Sequence, residues 1–112
     1  MLLFDSGGKG GFALAVPVVQ AGDYDVKIYF VRAPEYGIVR LRINGEAVGE
    51  PVDTFKKTED LTRPIWPPKA FDVGVVRLKE GINVFEFTVD SKSAEAEGYK
   101  VGIDCLVLEK SQ

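Results

Sequence analysis

The stretch Gly22–Val52, GDYDVKIYFVRAPEYGIVRLRINGEAVGEPV, decides the fold class. Tyr24, Val26, Ile28 and Phe30 fall on one phase of a period of two, and Asp25, Lys27, Tyr29 and Val31 on the other. After Ala33-Pro34-Glu35-Tyr36-Gly37 the alternation resumes, with Val39, Leu41 and Ile43 opposite Ile38, Arg40 and Arg42. Such alternation marks antiparallel strands with one buried and one wetter face. Asn44-Gly45 can take the two positive φ angles of a type I′ turn, the strongest short hairpin signal in the chain. Pro34 presets a turn φ at the other junction. The expectation is an antiparallel meander through both turns.

Toward the N-terminus, Phe12–Val19 (FALAVPVV) reads as a strand with Phe12, Leu14, Val16 and Val18 on one face. Pro17 cannot donate a ladder hydrogen bond, which places this strand at an edge or a bulge. Ser6–Gly11 (SGGKGG) is a turn, and Met1–Asp5 reads as a short first strand. A glycine cluster cradles phosphate only where a helix follows, and here a strand follows. Toward the C-terminus, Phe71 and Val73 share one phase while Val76 and Leu78 share the other, so Gly74 marks a bulge. Lys79-Glu80-Gly81 reads as a hairpin turn into the alternating Asn83, Phe85, Phe87 and Val89. Asp90–Gly98 (DSKSAEAEG) is a polar loop with a helical alternative at Ser93–Glu97. Tyr99–Leu108 is apolar on both faces, the mark of a central strand. About eight strand runs and no long helix indicate an all-β, antiparallel β-sandwich. A jelly roll fits better than an immunoglobulin-like sandwich, which would show a Cys…Trp…Cys spacing.

Length and composition set bounds. The 112 residues make one domain, 1–112, able to bury roughly two thirds of its unfolded surface. A net charge of −3 with mixed signs shows no basic patch, which argues against a nucleic-acid partner. No apolar run approaches the ~20 residues of a membrane span, and Met1-Leu2-Leu3-Phe4 is too short for a signal-peptide core. The chain has no histidine, which excludes Ser-His-Asp and Cys-His mechanisms. Its single cysteine, Cys105, forms no internal disulfide and reads as a small buried residue. Asp104 beside it reads as a buried carboxylate in need of a partner, structural first and a metal ligand second.

Thr54–Lys69 (TFKKTEDLTRPIWPPK) has no sustained period, three prolines and the chain's one tryptophan, with a short helical turn expected at Lys56–Leu61. Long irregular segments in compact domains tend to carry function. Trp66 could stack on the C–H face of a sugar ring, or fold back to cap the sandwich. Tyr36, expected to be partly exposed at a turn, could be a second platform or simply pack that turn. Tyr99 could be a platform at the start of the last strand or a core-edge residue with a wet hydroxyl. Asp53 and Arg63 flank the irregular segment and could bond sugar hydroxyls, or sit on a solvated face. Tyr29, Val31 and Ile38 lie on outward phases, available to a ligand face or to a packing partner. Glycoside cleavage needs two carboxylates across a cleft, and the sequence places no two of Glu35, Glu46, Glu50, Asp60, Glu95 and Glu97 face to face.

Taken together, Gly22-x-Tyr24-x-Val26-x-Ile28-x-Phe30, Ala33-Pro34-x-Tyr36-Gly37, Ile43-Asn44-Gly45-x-x-Val48-Gly49 and Asp53 resemble bacterial galactose-binding-like jelly rolls, carbohydrate-binding-module-like accessory domains of polysaccharide-active enzymes. Leu78-x-x-Gly81 before Phe85-x-Phe87, and Gly98-Tyr99-x-Val101-Gly102-Ile103-Asp104-x-Leu106-x-Leu108, agree with it. The resemblance covers nearly the whole chain. It implies a non-catalytic module that binds a poly- or oligosaccharide beside a catalytic domain of a larger, exported parent protein. The family usually has a longer region before the Phe12 strand, so the chain looks like a trimmed module. The paired N-terminal acids that hold a structural calcium in related modules are missing, so no cofactor is expected. The rival reading is a structural or assembly domain of the same fold, packed against a partner domain or a second copy.

Overall fold

The structure, a computed structural model, describes residues 2–5, 7–56 and 69–111. Eight strands follow in order: β1 (Leu2–Phe4), β2 (Gly10–Val18), β3 (Gly22–Val31), β4 (Ile38–Ile43), β5 (Glu46–Asp53), β6 (Lys69–Leu78), β7 (Gly81–Ser91) and β8 (Val101–Lys110). They form two four-stranded sheets, ordered β1-β8-β3-β6 and β2-β7-β4-β5, with every strand pair antiparallel. This is the expected β-sandwich. β2, with Pro17, lies at a sheet edge, and β8 lies inside its sheet, both as expected.

The meander expectation needs correction. β3 and β4 lie in different sheets, so Ala33–Gly37 is a crossover between layers and not a hairpin. The same holds for Lys79-Glu80-Gly81, since β6 and β7 also lie in different sheets. Only β4 and β5, joined at Asn44-Gly45, are consecutive and paired. There φ is +52° at Asn44 and +88° at Gly45, as a type I′ turn demands. The period-two signal is the same whether the next strand pairs alongside or faces its predecessor across the core. Here Val26, Ile28 and Phe30 of β3 and Val39, Leu41 and Ile43 of β4 are buried in one core from opposite layers.

Five phenylalanines join the layers. Phe4 lies 4.9 Å from Phe12, Phe12 stacks on Phe87 at 5.0 Å, and Phe30 meets the edge of Phe87 and tilts toward Phe71, each at 6.3 Å. Each fully buried ring contributes about 1.5–3 kcal/mol through burial, and the ring geometries add to it.

Two irregularities flank β3. The register with β6 shifts between Val26 and Lys27, opposite Gly74 (φ +96°), so the expected bulge is present. The register with β8 shifts between Tyr29 and Phe30, leaving Asp104 as the extra residue. That bulge moves the inward phase of β8 from Val101 and Ile103 to Leu106 and Leu108. It turns both Asp104 and Cys105 outward, where they are exposed. Both earlier readings are thereby corrected: Cys105 is not a buried thiol, and Asp104 is a solvated carboxylate that needs no partner.

At the Asn44-Gly45 end, Asn83 is wholly buried and saturates its side chain. Its Oδ1 accepts from Asn44 Nδ2 (2.9 Å) and the Lys79 N–H (3.1 Å), and its Nδ2 donates to the carbonyls of Lys79 (3.0 Å) and Gly81 (3.4 Å). Asn44 Oδ1 in turn accepts from the Val84 N–H at 2.9 Å. One side chain thus ties the β4–β5 turn to the β6–β7 crossover. Asn83→Leu leaves these groups unpaired and is expected to cost about 2–3 kcal/mol, read by urea denaturation. A loss below about 0.5 kcal/mol, the scale of an ordinary surface change, would contradict this role.

Candidate functional site

The opposite end of the sandwich is open. Three segments meet there: the β1–β2 connection, the β3–β4 crossover and the β7–β8 loop. The crossover is held on both flanks by backbone hydrogen bonds. On one side the Ala33 N–H donates to the Thr54 carbonyl (3.2 Å), the Lys56 N–H to the Ala33 carbonyl (3.2 Å) and the Thr54 N–H to the Gly37 carbonyl (3.1 Å). The Thr54 hydroxyl, buried to 1% exposure, gives that same carbonyl a second bond at 2.6 Å. On the other side the Gly37 N–H donates to the Lys100 carbonyl (3.0 Å), the Lys100 N–H to the Glu35 carbonyl (3.1 Å) and the Glu97 N–H to the Pro34 carbonyl (2.8 Å). Buried backbone outside a ladder needs such partners, and here the neighbouring segments supply them.

Gly37 permits the close approach. A Cβ there would lie 2.6 Å from Val89 Cγ1, 3.1 Å from the Ser91 carbonyl oxygen and 3.3 Å from Tyr99 Cα. Tyr36 is 7% exposed, not partly open as expected. Its ring lies over Gly102 beside Val31, close enough that a Cβ on Gly102 would stand 3.0 Å from the Tyr36 Cε2 and 3.1 Å from its hydroxyl oxygen. The turn-packing reading of Tyr36 therefore holds, and the ring offers no open face for stacking.

Between the three segments lies an open groove of about 520 Å³, lined by Asp5, Gly7, Glu35, Glu97, Gly98, Tyr99 and Lys100. Tyr99 sits in the loop just before β8, one turn earlier than the strand start expected for it. Its ring has Lys92 Nζ 5.9 Å from the centroid, and that ammonium also donates to the Ala96 carbonyl at 3.0 Å. The cation thus orients the ring while the loop holds the cation. Lys100 bridges the other walls, 2.6 Å from Glu35 Oε2 and 3.8 Å from Asp5 Oδ2. Its hydrogen bond to Glu35, with further help from the charges of Glu35 and Asp5, raises the Lys100 pKa above the ordinary lysine value.

Of the residues singled out from sequence, the structure brings Tyr99 to the groove and leaves Tyr36 beneath its rim. Asp53 is exposed on the other flank of the crossover, where its Oδ1 accepts from the Phe55 N–H at 2.9 Å. Trp66 and Arg63, with most of the helical turn expected at Lys56–Leu61, lie outside the described residues. The Ser93–Glu97 alternative reduces to one turn, closed by the Ala96 N–H on the Ser93 carbonyl (3.0 Å). Sequence reasoning missed Asp5 and Lys100, and weighed Glu35 and Glu97 only as catalytic acids. The available signal was the polar run Asp90–Gly98 ahead of Tyr99-Lys100. Among the described residues no three His, Cys, Asp or Glu side chains are placed to hold a metal ion.

Burial raises the Tyr36 pKa, with Glu35 adding to the shift and Lys100 opposing it. The folded value lies above the unfolded one, so this stability is intact below about pH 10, the ordinary tyrosine value, and is lost as pH rises through the folded pKa. Tyr36→Phe is expected to flatten the alkaline fall in stability and to remove the highest-titrating phenolate from the ultraviolet difference spectrum. An alkaline stability profile unchanged by the substitution would contradict it.

No protein-family model matches this sequence, and no curated protein matches it. Solved structures do. A Paenibacillus xanthan lyase matches 98% of this chain with a TM-score of 0.75 and 26% identity, and the chain spans 11% of that protein. A family 35 carbohydrate-binding module from an environmental isolate matches 93% of this chain and 68% of its own length, with a TM-score of 0.60 and 15% identity. A family 35 module from Clostridium thermocellum matches 93% of this chain and 72% of its own length, with a TM-score of 0.58 and 20% identity. These likenesses carry the fold: the chain is a β-sandwich built like a family 35 carbohydrate-binding module, as the sequence resemblance implied.

Proposed function

We propose that this chain is a non-catalytic carbohydrate-binding module that works as an accessory to a polysaccharide-active catalytic domain in a larger parent protein. The observation that carries the reading is the groove at the loop end, with one oriented aromatic ring beside convergent polar groups, on a fold shared with family 35 modules. Sugar rings present apolar C–H faces ringed by hydroxyls. A site for them needs an aromatic surface and polar atoms at its rim. Tyr99 supplies the surface, and Asp5, Glu35, Glu97 and Lys100 supply acceptors and donors. Tethering to an enzyme would let a weak single site act at high effective concentration. Trp66, Asp53 and Arg63 remain proposed contributors, to be tested one substitution at a time.

The rival reading, a packing domain without ligand, draws on the outward face of the β8–β3 sheet. Tyr29 and Val31 are partly exposed there, Tyr29 pairs with the exposed Cys105, and Leu3 is 49% exposed.

Isothermal titration against a panel of soluble glycans tests the proposal. One glycan class is expected to bind saturably. Tyr99→Ala is expected to weaken that binding at least about tenfold, equivalent to ~1.4 kcal/mol, with the denaturation midpoint nearly unchanged and Tyr99→Phe close to wild type. A flat response across the panel would overturn the proposal and leave the packing-domain reading in front.

A further inference from the structure

We propose that the loop-end groove is selective for uncharged glycans and rejects uronate-bearing ones, with Glu97 and Lys100 setting the selectivity. The inference rests on the carbohydrate-binding reading above and names the substrate class of that site.

The argument begins with the groove wall. Among the described residues, three carboxylates and one ammonium line it: Asp5, Glu35, Glu97 and Lys100. A site built for an acidic sugar would aim an unengaged cation into the space. Here the cation is engaged. Lys100 Nζ donates to Glu35 Oε2 at 2.6 Å and stands 3.8 Å from Asp5 Oδ2, so an incoming carboxylate would have to displace one of two anions already in place. Lys92, the other ammonium of the β7–β8 loop, donates to the Ala96 carbonyl and sits over the Tyr99 ring. Glu97 is exposed and has no ion-pair partner among the described residues, so its charge stands open at the wall.

The hydrogen-bonding character points the same way. Ionised carboxylates only accept. Asp5 Oδ1 already accepts from the Gly7 N–H at 2.9 Å, which turns that carboxylate into a fixed acceptor. A neutral sugar meets an acceptor-rich wall with hydroxyl donors, and O–H···O⁻ bonds are the short, strong ones. A uronate replaces a hydroxymethyl donor by a group that only accepts, and adds a like charge. Both changes work against binding. The groove is open to solvent, so the charge part of the discrimination is screened by salt.

The test uses the full chain in affinity electrophoresis and titration calorimetry. The probes are neutral mannan, xylan, glucan and galactan, each beside a carboxymethylated form, together with polygalacturonate. Every arm is run with chelator and again with added calcium. The expected result is binding to at least one neutral glycan, at least tenfold weaker binding to its carboxymethylated form at low salt, and a narrowing of that gap as salt rises. Glu97→Lys is expected to raise affinity for the acidic form at least fivefold while leaving the fold intact, since Glu97 is exposed. Lys100→Gln is expected to widen the gap. Tighter binding of an acidic glycan than of every neutral one, with or without calcium, would overturn the selectivity while the carbohydrate-binding reading stands. A gap unmoved by Glu97→Lys would overturn the role given to that residue. Binding to neither class would sink the underlying reading, and the selectivity with it.

Discussion

The crossover Ala33–Gly37 is the constraint on which the rest depends. It carries the chain from one sheet to the other at the end where three segments meet, and it does so with its backbone largely buried. Backbone in that position survives only with every polar group paired. Thr54 and Lys56 satisfy one flank, and Glu97 and Lys100 the other. The same bonds fix the separation of the groove walls, because Glu35 travels with the crossover and Tyr99-Lys100 with the β7–β8 loop. Packing and site geometry are therefore one problem. The tolerance is small: the room at Gly37 excludes even a methyl group, and overpacking of that kind costs about 1–3 kcal/mol.

The two ends of the sandwich solve the turn problem in opposite ways. At the Asn44-Gly45 end, one saturated asparagine closes the gap between turns and consumes the available donors and acceptors. At the other end the bonds run along the backbones and leave the side chains of Asp5, Glu35, Glu97, Tyr99 and Lys100 facing a common space. A rigid framework that frees side chains at one end is what a loop-borne site requires. The aromatic run from Phe4 to Phe71 supplies much of that rigidity, since it locks β1, β2, β7, β3 and β6 into one body.

Much of the fold was legible because it is written in short-range pattern. Alternation gave the strands, Asn44-Gly45 the one hairpin, Pro17 the edge and Gly74 the bulge. Pairing was less legible, because a crossover and a hairpin leave the same alternation on either side of a turn. The burial of Tyr36 depends on Gly102, more than sixty residues away, and no local signal reports it. The exposure of Asp104 and Cys105 had a readable cause: the apolar phase of β8 shifts from Val101 and Ile103 to Leu106 and Leu108, as it does around Gly74 in β6. Of the site, Tyr99 was legible as an aromatic next to a polar loop. Asp5 and Lys100 were not, since exposed charges are ordinary and only the meeting of three loops makes these a wall.

The account's central claim is that the loop end, not a sheet face, receives the glycan. Amide chemical-shift mapping on the isotope-labelled chain tests it most directly, with the tightest-binding glycan of the panel as titrant. The account predicts perturbed amides clustered at Asp5–Gly7, Glu35–Gly37 and Glu97–Lys100, with the outward faces of both sheets quiet. Perturbations confined to Tyr29, Val31 and Cys105, or to the outward residues of β2 and β7, would contradict it and move the binding surface to a sheet.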